Sequence, residues 1–165
     1  MSRILQLLYL MLPVYLANMA PPFTKFWPWW NRPISEKWLG AHKTVVGFSF
    51  GIAAGVLTAF IQSRIDWQGA AIPMEQWLAI GVACGLGAMV GDSAKSFIKR
   101  RLAIAPGHSW FPADQLDFVA GGLIALSFWV DLSWTDVAWI LALSLAGDII
   151  VNQMSFRLGI RDTKW

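Results

Sequence analysis

The chain has few means of cross-linking itself. Its 165 residues include one cysteine, Cys84, and two histidines, His42 and His108. A single cysteine excludes an intrachain disulfide, and Cys84 sits inside an apolar run, where a thiol acts as a small packing residue. Two isolated histidines exclude the Cys/His spacing of a structural zinc site. Charge is scarce too: Asp, Glu, Lys and Arg make up 14% of the residues, against about 25% in ordinary soluble domains. The phosphate loop G-x-x-x-x-G-K-S/T, a dinucleotide fingerprint and a Ser-His-Asp arrangement are all missing. What is abundant is apolar. Hydrophobic residues reach 56% and mean hydropathy is +0.51. This composition excludes a water-soluble core and points to an integral membrane protein.

The apolar residues fall into five runs, 4–20, 44–61, 77–91, 116–130 and 134–151. Each is at or just below the roughly 17–25 residues that span a bilayer as a helix. The third and fourth can be lengthened by helix that carries their flanking polar residues. Pro13 is an expected kink in the first run. That run carries one base, Arg3, and no Ala-x-Ala cleavage site, so it reads as a retained span. Gly47, Gly51 and Gly55 recur every four residues, as do Gly81/Gly85 and Gly87/Gly91. Small residues at that spacing let helices approach closely, and packing is their expected role. The expectation is an all-α bundle of five transmembrane helices, one membrane-embedded domain over 1–165.

Bases set the orientation. Eleven of the thirteen Lys and Arg lie in segments 21–43, 92–115 and 152–165, which five spans place on one side; only Arg3 and Arg64 lie on the other. The positive-inside rule then puts the N-terminus outside and the C-terminus in the cytoplasm. Trp38, Trp77, Trp129 and Trp134 near span ends read as an interfacial aromatic belt.

One long polar stretch interrupts the apolar chain, Gly91 to Asp117. Written as a helix, Asp92, Lys95, Ser96 and Lys99 fall at i, i+3, i+4 and i+7, on a single face. Asp114 and Asp117 stand at i, i+3 where the next apolar run begins. Carboxylates able to hold a hard cation therefore lie close in sequence to bases able to hold phosphate. A solvated, positively charged loop explains Lys99, Arg100 and Arg101 equally well, but it does not explain an acid, Asp117, entering an apolar segment. In the last run Asp148 and Asn152 repeat the pattern of an acid after glycine with a polar residue four later. An intramembrane acid needs a partner, and a supporting role at a site is the expectation.

The run Ser96-Phe97-Ile98-Lys99-Arg100-Arg101-Leu102, followed by Pro112-Ala113-Asp114-Gln115-Leu116-Asp117-Phe118, resembles the signature of CTP-dependent lipid cytidylyltransferases. The match is to the CDP-archaeol synthase family, short relatives of phosphatidate cytidylyltransferase. It extends from about Asn31 to the chain's end. The stretch Lys37-Trp38-Leu39-Gly40 through Lys43-Thr44 resembles another family motif, with Lys37 where that motif carries arginine. The resemblance implies transfer of CMP from CTP to a lipid phosphate, giving a CDP-activated lipid and pyrophosphate, with Mg2+ as cofactor. It implies a catalytic set of Asp92, Lys95, Lys99 and Asp117. Metal binding would fall to Asp92, Asp114 and Asp117. Nucleotide and phosphate contacts would fall to Asn31, Lys37, Lys43, Thr44, Ser96 and Arg100, with Asp148 and Asn152 behind them. The implied partners are CTP, a lipid phosphate and the cell (inner) membrane, with the site facing the cytoplasm and no nucleic acid. Two other readings of the residues stay open: a CTP-dependent lipid-alcohol kinase, and a small cation transporter lined by Asp117 and Asp148.

Overall fold

A computed structural model describes residues 2–26, 31–105 and 108–157 of the chain. Among the described residues six α-helices carry it: α1 (Arg3–Met19), the single turn α2 (Glu36–Leu39), α3 (Val45–Ile65), α4 (Trp77–Arg101), α5 (Ala113–Leu126) and α6 (Trp134–Arg157). Among the described residues the only extended pairing is one isolated bridge, Pro33 to Thr44. The five apolar runs thus become the five longer helices. α1 continues through Pro13 without ending there. α4 gains ten residues beyond its apolar run, because the polar face from Asp92 to Lys99 continues the same helix. Pro106, Gly107 and the tail from Leu158 to Trp165 lie outside the described residues.

Among the described residues, four segments are long and apolar enough to cross a membrane: 3–24, 45–65, 74–101 and 134–154. α5 is not among them. Its 14 residues span about 21 Å at 1.5 Å per residue, short of the roughly 30 Å hydrocarbon core. The protein is an all-helical, multi-pass membrane protein, and its exposed surface is correspondingly oily, with Leu57, Leu78, Val90, Ile124 and Phe128 all exposed.

Side-chain pairs fix the helix directions. Gln62 Nε2 donates to the Tyr9 carbonyl (2.6 Å), so α1 and α3 run antiparallel. Arg3 pairs with Asp136 (2.8 Å) and Tyr15 shares a hydrogen bond with Ser144 (2.8 Å), so α1 and α6 run parallel. Glycines set the spacing of the other two contacts. A Cβ on Gly55 would lie 2.8 Å from the Gly81 carbonyl oxygen, and one on Gly85 would lie 2.7 Å from Ile52 Cα. Backbone therefore meets backbone along the α3–α4 seam. The α4–α5 seam does the same, with Gly87 against Gly121 and Gly91 against Asp117. Gly47 faces Thr44 and Pro21 instead and takes no part in either seam. The core is built from Leu7, Leu10, Met11 and Val14 of α1 with Ile80, Cys84 and Ala88 of α4 and Val119 of α5. The five long helices alternate in direction, so segments 21–26 and 31–44, the end of α4 and the start of α5 gather at one end of the bundle.

Candidate active site

The last turns of α4 present Asp92, Lys95, Ser96 and Lys99 on one face, as their spacing predicts. The first turn of α5 presents Asp114 and Asp117. Because the Gly91–Asp117 contact lets the two antiparallel helices touch backbone to backbone, these faces meet. Lys95 Nζ stands at the meeting point. It lies 2.8 Å from Asp117 Oδ2, 3.2 Å from Asp114 Oδ1 and 3.3 Å from Asp92 Oδ1. Asp117 Oδ2 is buried, with the Lys95 ammonium group as its ion-pair partner. The other Asp117 oxygen accepts from the Phe118 amide (2.6 Å).

Two further lysines close the cluster. Lys99, only 8% exposed, places Nζ 3.0 Å from both Asp114 oxygens and donates to the His108 carbonyl (2.6 Å). Lys43 ion-pairs with Asp92 and so ties the 31–44 segment to α4. That segment is shaped by backbone bonds from Ile34 N–H to the Lys43 carbonyl (2.8 Å) and from Val45 N–H to the Arg32 carbonyl (3.0 Å). The Trp110 amide donates to Asp114 Oδ2 (2.5 Å), folding the approach to α5 back onto its first turn. Burial pushes the Asp114 carboxyl up, but the Trp110 amide and the Lys99 and Lys95 ammonium groups outweigh it and hold it below the usual carboxylate range. Three carboxylates and three ammonium groups thus balance one another in a half-buried network.

The remaining residues singled out in the sequence take other places. The Thr44 hydroxyl accepts the Gly47 amide (3.1 Å) as the N-cap of α3. The Ser96 hydroxyl is buried and donates to the Asp92 carbonyl (2.9 Å) one turn back. Asn31 donates to Thr24 Oγ1 (3.3 Å), while its buried carbonyl oxygen has no hydrogen-bond partner among the described residues. The same holds for the buried Nε of Arg100. Lys37 is exposed, its Nζ 5.4 Å from the Trp38 ring centre. Asn152 donates to Asp148 Oδ2 (2.8 Å) along α6.

Sequence reading missed three contributors. The His108 carbonyl and the Trp110 amide act through backbone, which leaves no residue-type signal. Trp38 stacks on Phe97 (centroids 5.7 Å apart), and the Arg101 guanidinium covers both rings at 4.5 and 5.2 Å. The exposed Trp38 read as a belt residue; its partner lies across the fold.

Below the cluster, α4 and α5 leave an apolar groove of about 700 Å³, lined by small side chains such as Ala83, Ala94, Ala120 and Gly121, with Phe128 toward one end and Lys95 and Asp117 toward the other. An amphiphile with an anionic head could lay its chains there and bring its head to the cluster. As for a cation, no three Asp, Glu, His or Cys side chains among the described residues stand as a ready metal-binding set. The donor chemistry nevertheless suits a hard cation: three carboxylates from two helices converge on one point, and an ammonium group is the cation there.

Comparison with known proteins bears on this arrangement. The family model described as CarS-like, CDP-archaeol synthase, matches residues 31–165. The CDP-archaeol synthase of Methanosphaerula palustris is 32% identical over 170 residues, covering 94% of this chain and all of the relative. That of Sulfolobus acidocaldarius is 32% identical over 163 residues, covering 93% of both chains. A solved structure, described as an intramembrane enzyme for archaeal membrane lipid biosynthesis, superposes with a TM-score of 0.69 at 29% identity, covering 91% of this chain and 94% of its own.

Proposed function

The chain belongs to the CDP-archaeol synthase family, and from that premise we propose how its residues carry out the CTP-dependent transfer of CMP to a lipid phosphate, giving a CDP-lipid and pyrophosphate. The observation that carries the proposal is the convergence of Asp92, Asp114 and Asp117 on Lys95 at the polar end of an apolar groove. The lipid chains occupy the groove between α4 and α5, and the lipid phosphate reaches the cluster from below. An ether-lipid phosphate of the archaeol type fits the family and the largely apolar lining.

The chemistry is a displacement at the α-phosphorus of CTP. A phosphate oxygen of the lipid forms the new P–O bond as the bond to pyrophosphate breaks. The attacking monoester is already ionised near pH 7 (second pKa about 6), so no general base is needed. The obstacle is the meeting of two anions, and it is met by preorganised positive charge. Lys43, Lys95, Lys99 and Arg100 hold phosphate oxygens. The unpartnered Arg100 Nε and Asn31 carbonyl oxygen supply one donor and one acceptor that the nucleotide can satisfy. Lys37, Thr44 and Ser96 border the nucleotide, and Asp148 with Asn152 supports the site from α6. Asp92, Asp114 and Asp117 would hold Mg2+, which when bound neutralises the triphosphate and draws charge from the leaving pyrophosphate.

We read the five longer helices as five spans, α5 crossing with help from its flanking residues, with the N-terminus outside and the C-terminus in the cytoplasm of the cell membrane. The bases gathered at the cluster end support this orientation. The whole chain, 1–165, forms one membrane-embedded domain. The lipid-alcohol kinase and cation-transporter readings have no support from the family. Incubating the purified protein with radiolabelled CTP, Mg2+ and a panel of lipid phosphates tests the proposal. Labelled CDP-lipid with release of pyrophosphate is expected, and label on a lipid alcohol as a monophosphate would overturn it.

A further inference from the structure

We infer that Lys95 is a stand-in cation. In the ligand-free protein its ammonium group takes the point where the three carboxylates converge, so the site accepts a divalent cation only together with the nucleotide. The inference rests on the reading of Asp92, Asp114 and Asp117 as metal ligands. It adds what holds those ligands before the metal comes, and what order of binding follows.

The geometry separates Lys95 from its neighbours. Among the acids of the described residues, Lys43 pairs with Asp92 only and Lys99 with Asp114 only. Lys95 touches all three acids. The acids need it: the Asp117 side chain is 5% exposed, and Asp92 and Asp114 are 17% and 18% exposed. Three carboxylates that close, with little water, repel one another unless a cation sits between them. The ammonium supplies that cation on a flexible stem with rotatable donors, so it can leave without rebuilding the helix. Lys95 also lines the groove, which gives it somewhere to go.

The charge balance then dictates the order. A metal ion arriving alone finds each carboxylate already paired, and entering would strand the Lys95 ammonium. A nucleotide arriving alone finds Lys43, Lys95 and Lys99 already paired, and entering would strand the carboxylates. When both arrive, partners exchange: the metal takes the acids, the phosphates take the ammonium groups, and every charged side chain keeps a partner of opposite sign. Metal and CTP therefore bind with positive coupling, which by linkage is the same for each on the other.

Mn2+ is the probe, measured by electron paramagnetic resonance on the full-length protein in detergent, with and without CTP and with no lipid phosphate present. Wild type is expected to bind Mn2+ weakly alone and far more tightly with CTP. Lys95→Met removes the stand-in, and Mn2+ alone should then bind about ten- to a hundredfold tighter than to wild type, the worth of one charge-assisted contact. Lys99→Met, which removes one of the two ammonium partners of Asp114 and leaves Lys95 in place, should give a smaller gain. Lys95→Met combined with Asp117→Asn should lose the gain. Wild type binding Mn2+ without CTP as tightly as Lys95→Met would overturn the inference. Should Lys95→Met not fold, Lys95→Gln is read in the same way; should neither fold, tight binding of Mn2+ by wild type without CTP overturns it and weak binding supports it. A loss of CTP-dependent Mn2+ binding in Asp117→Asn, with no gain in Lys95→Met, sinks the stand-in alone. Unchanged CTP-dependent Mn2+ binding in Asp117→Asn sinks both it and the metal-ligand reading.

Discussion

Gly91 of α4 lies directly against the backbone carbonyl of Asp117 in α5, with no room for a side chain between them. That contact brings Asp117 into the reach of Lys95, one turn along α4. A methyl group at Gly91 has to push the two helices apart, because what it meets is backbone and cannot rotate away. Overpacking of this kind costs about 1–3 kcal/mol. We expect Gly91→Ala to lower both thermal stability and CMP transfer, whereas Gly147→Ala, whose new methyl group meets nothing within 4 Å, should leave transfer largely intact. Thermal unfolding and the radiolabel assay on both variants check this.

Asp117→Asn keeps the shape of the side chain and removes its charge. Lys95 retains Asp92 and Asp114, so the bundle should stay folded. Transfer should fall by at least the roughly 10²-fold typical of losing a key electrostatic group. Near-normal turnover would show that this carboxylate holds no metal.

The bases at the end of α4 differ in what they touch, and so should their variants. Lys95→Ala and Lys99→Ala should each weaken Mg-CTP binding by about 1.5–3 kcal/mol, or ten- to a hundredfold. Arg101 instead covers Trp38 and Phe97. Losing that contact costs about 0.5–1 kcal/mol of local packing and should leave CTP affinity close to wild type. Titration of CTP against the three purified variants decides between a built site and a generic basic loop, which predicts three equal, small effects.

The groove predicts a separation of substrates. Ala120→Phe fills space between α4 and α5 without touching the ion pairs. KM for the lipid phosphate should rise several-fold, the scale at which a hydrophobic pocket answers to added bulk, while Mg-CTP affinity stays unchanged. A matched loss of CTP binding would place the lipid elsewhere.

Orientation is checked by reporter fusions. One placed after Trp165 should read cytoplasmic, and one in the 66–73 loop should read external. The reverse would put the cluster on the side without CTP.

Much of this was legible in the sequence because the signals are periodic. Apolar runs report five helices through their length, and spacing by three and four reports which polar residues share a face. Asp92, Lys95 and Lys99 follow from that alone, since a helix fixes their angles. The glycine repeats likewise announced close packing, though not that Gly47 would stand apart. What periodicity cannot carry is distance across the fold. That α5 is too short to cross by itself depends on where its ends are capped and turned. That Lys43 reaches Asp92, that Trp38 stacks on Phe97, and that three acids from two helices share one ammonium group are facts of tertiary packing. They are decided by how closely two backbones approach at Gly87, Gly91 and Gly121. A one-dimensional pattern specifies the faces, and only the packed bundle specifies which faces meet.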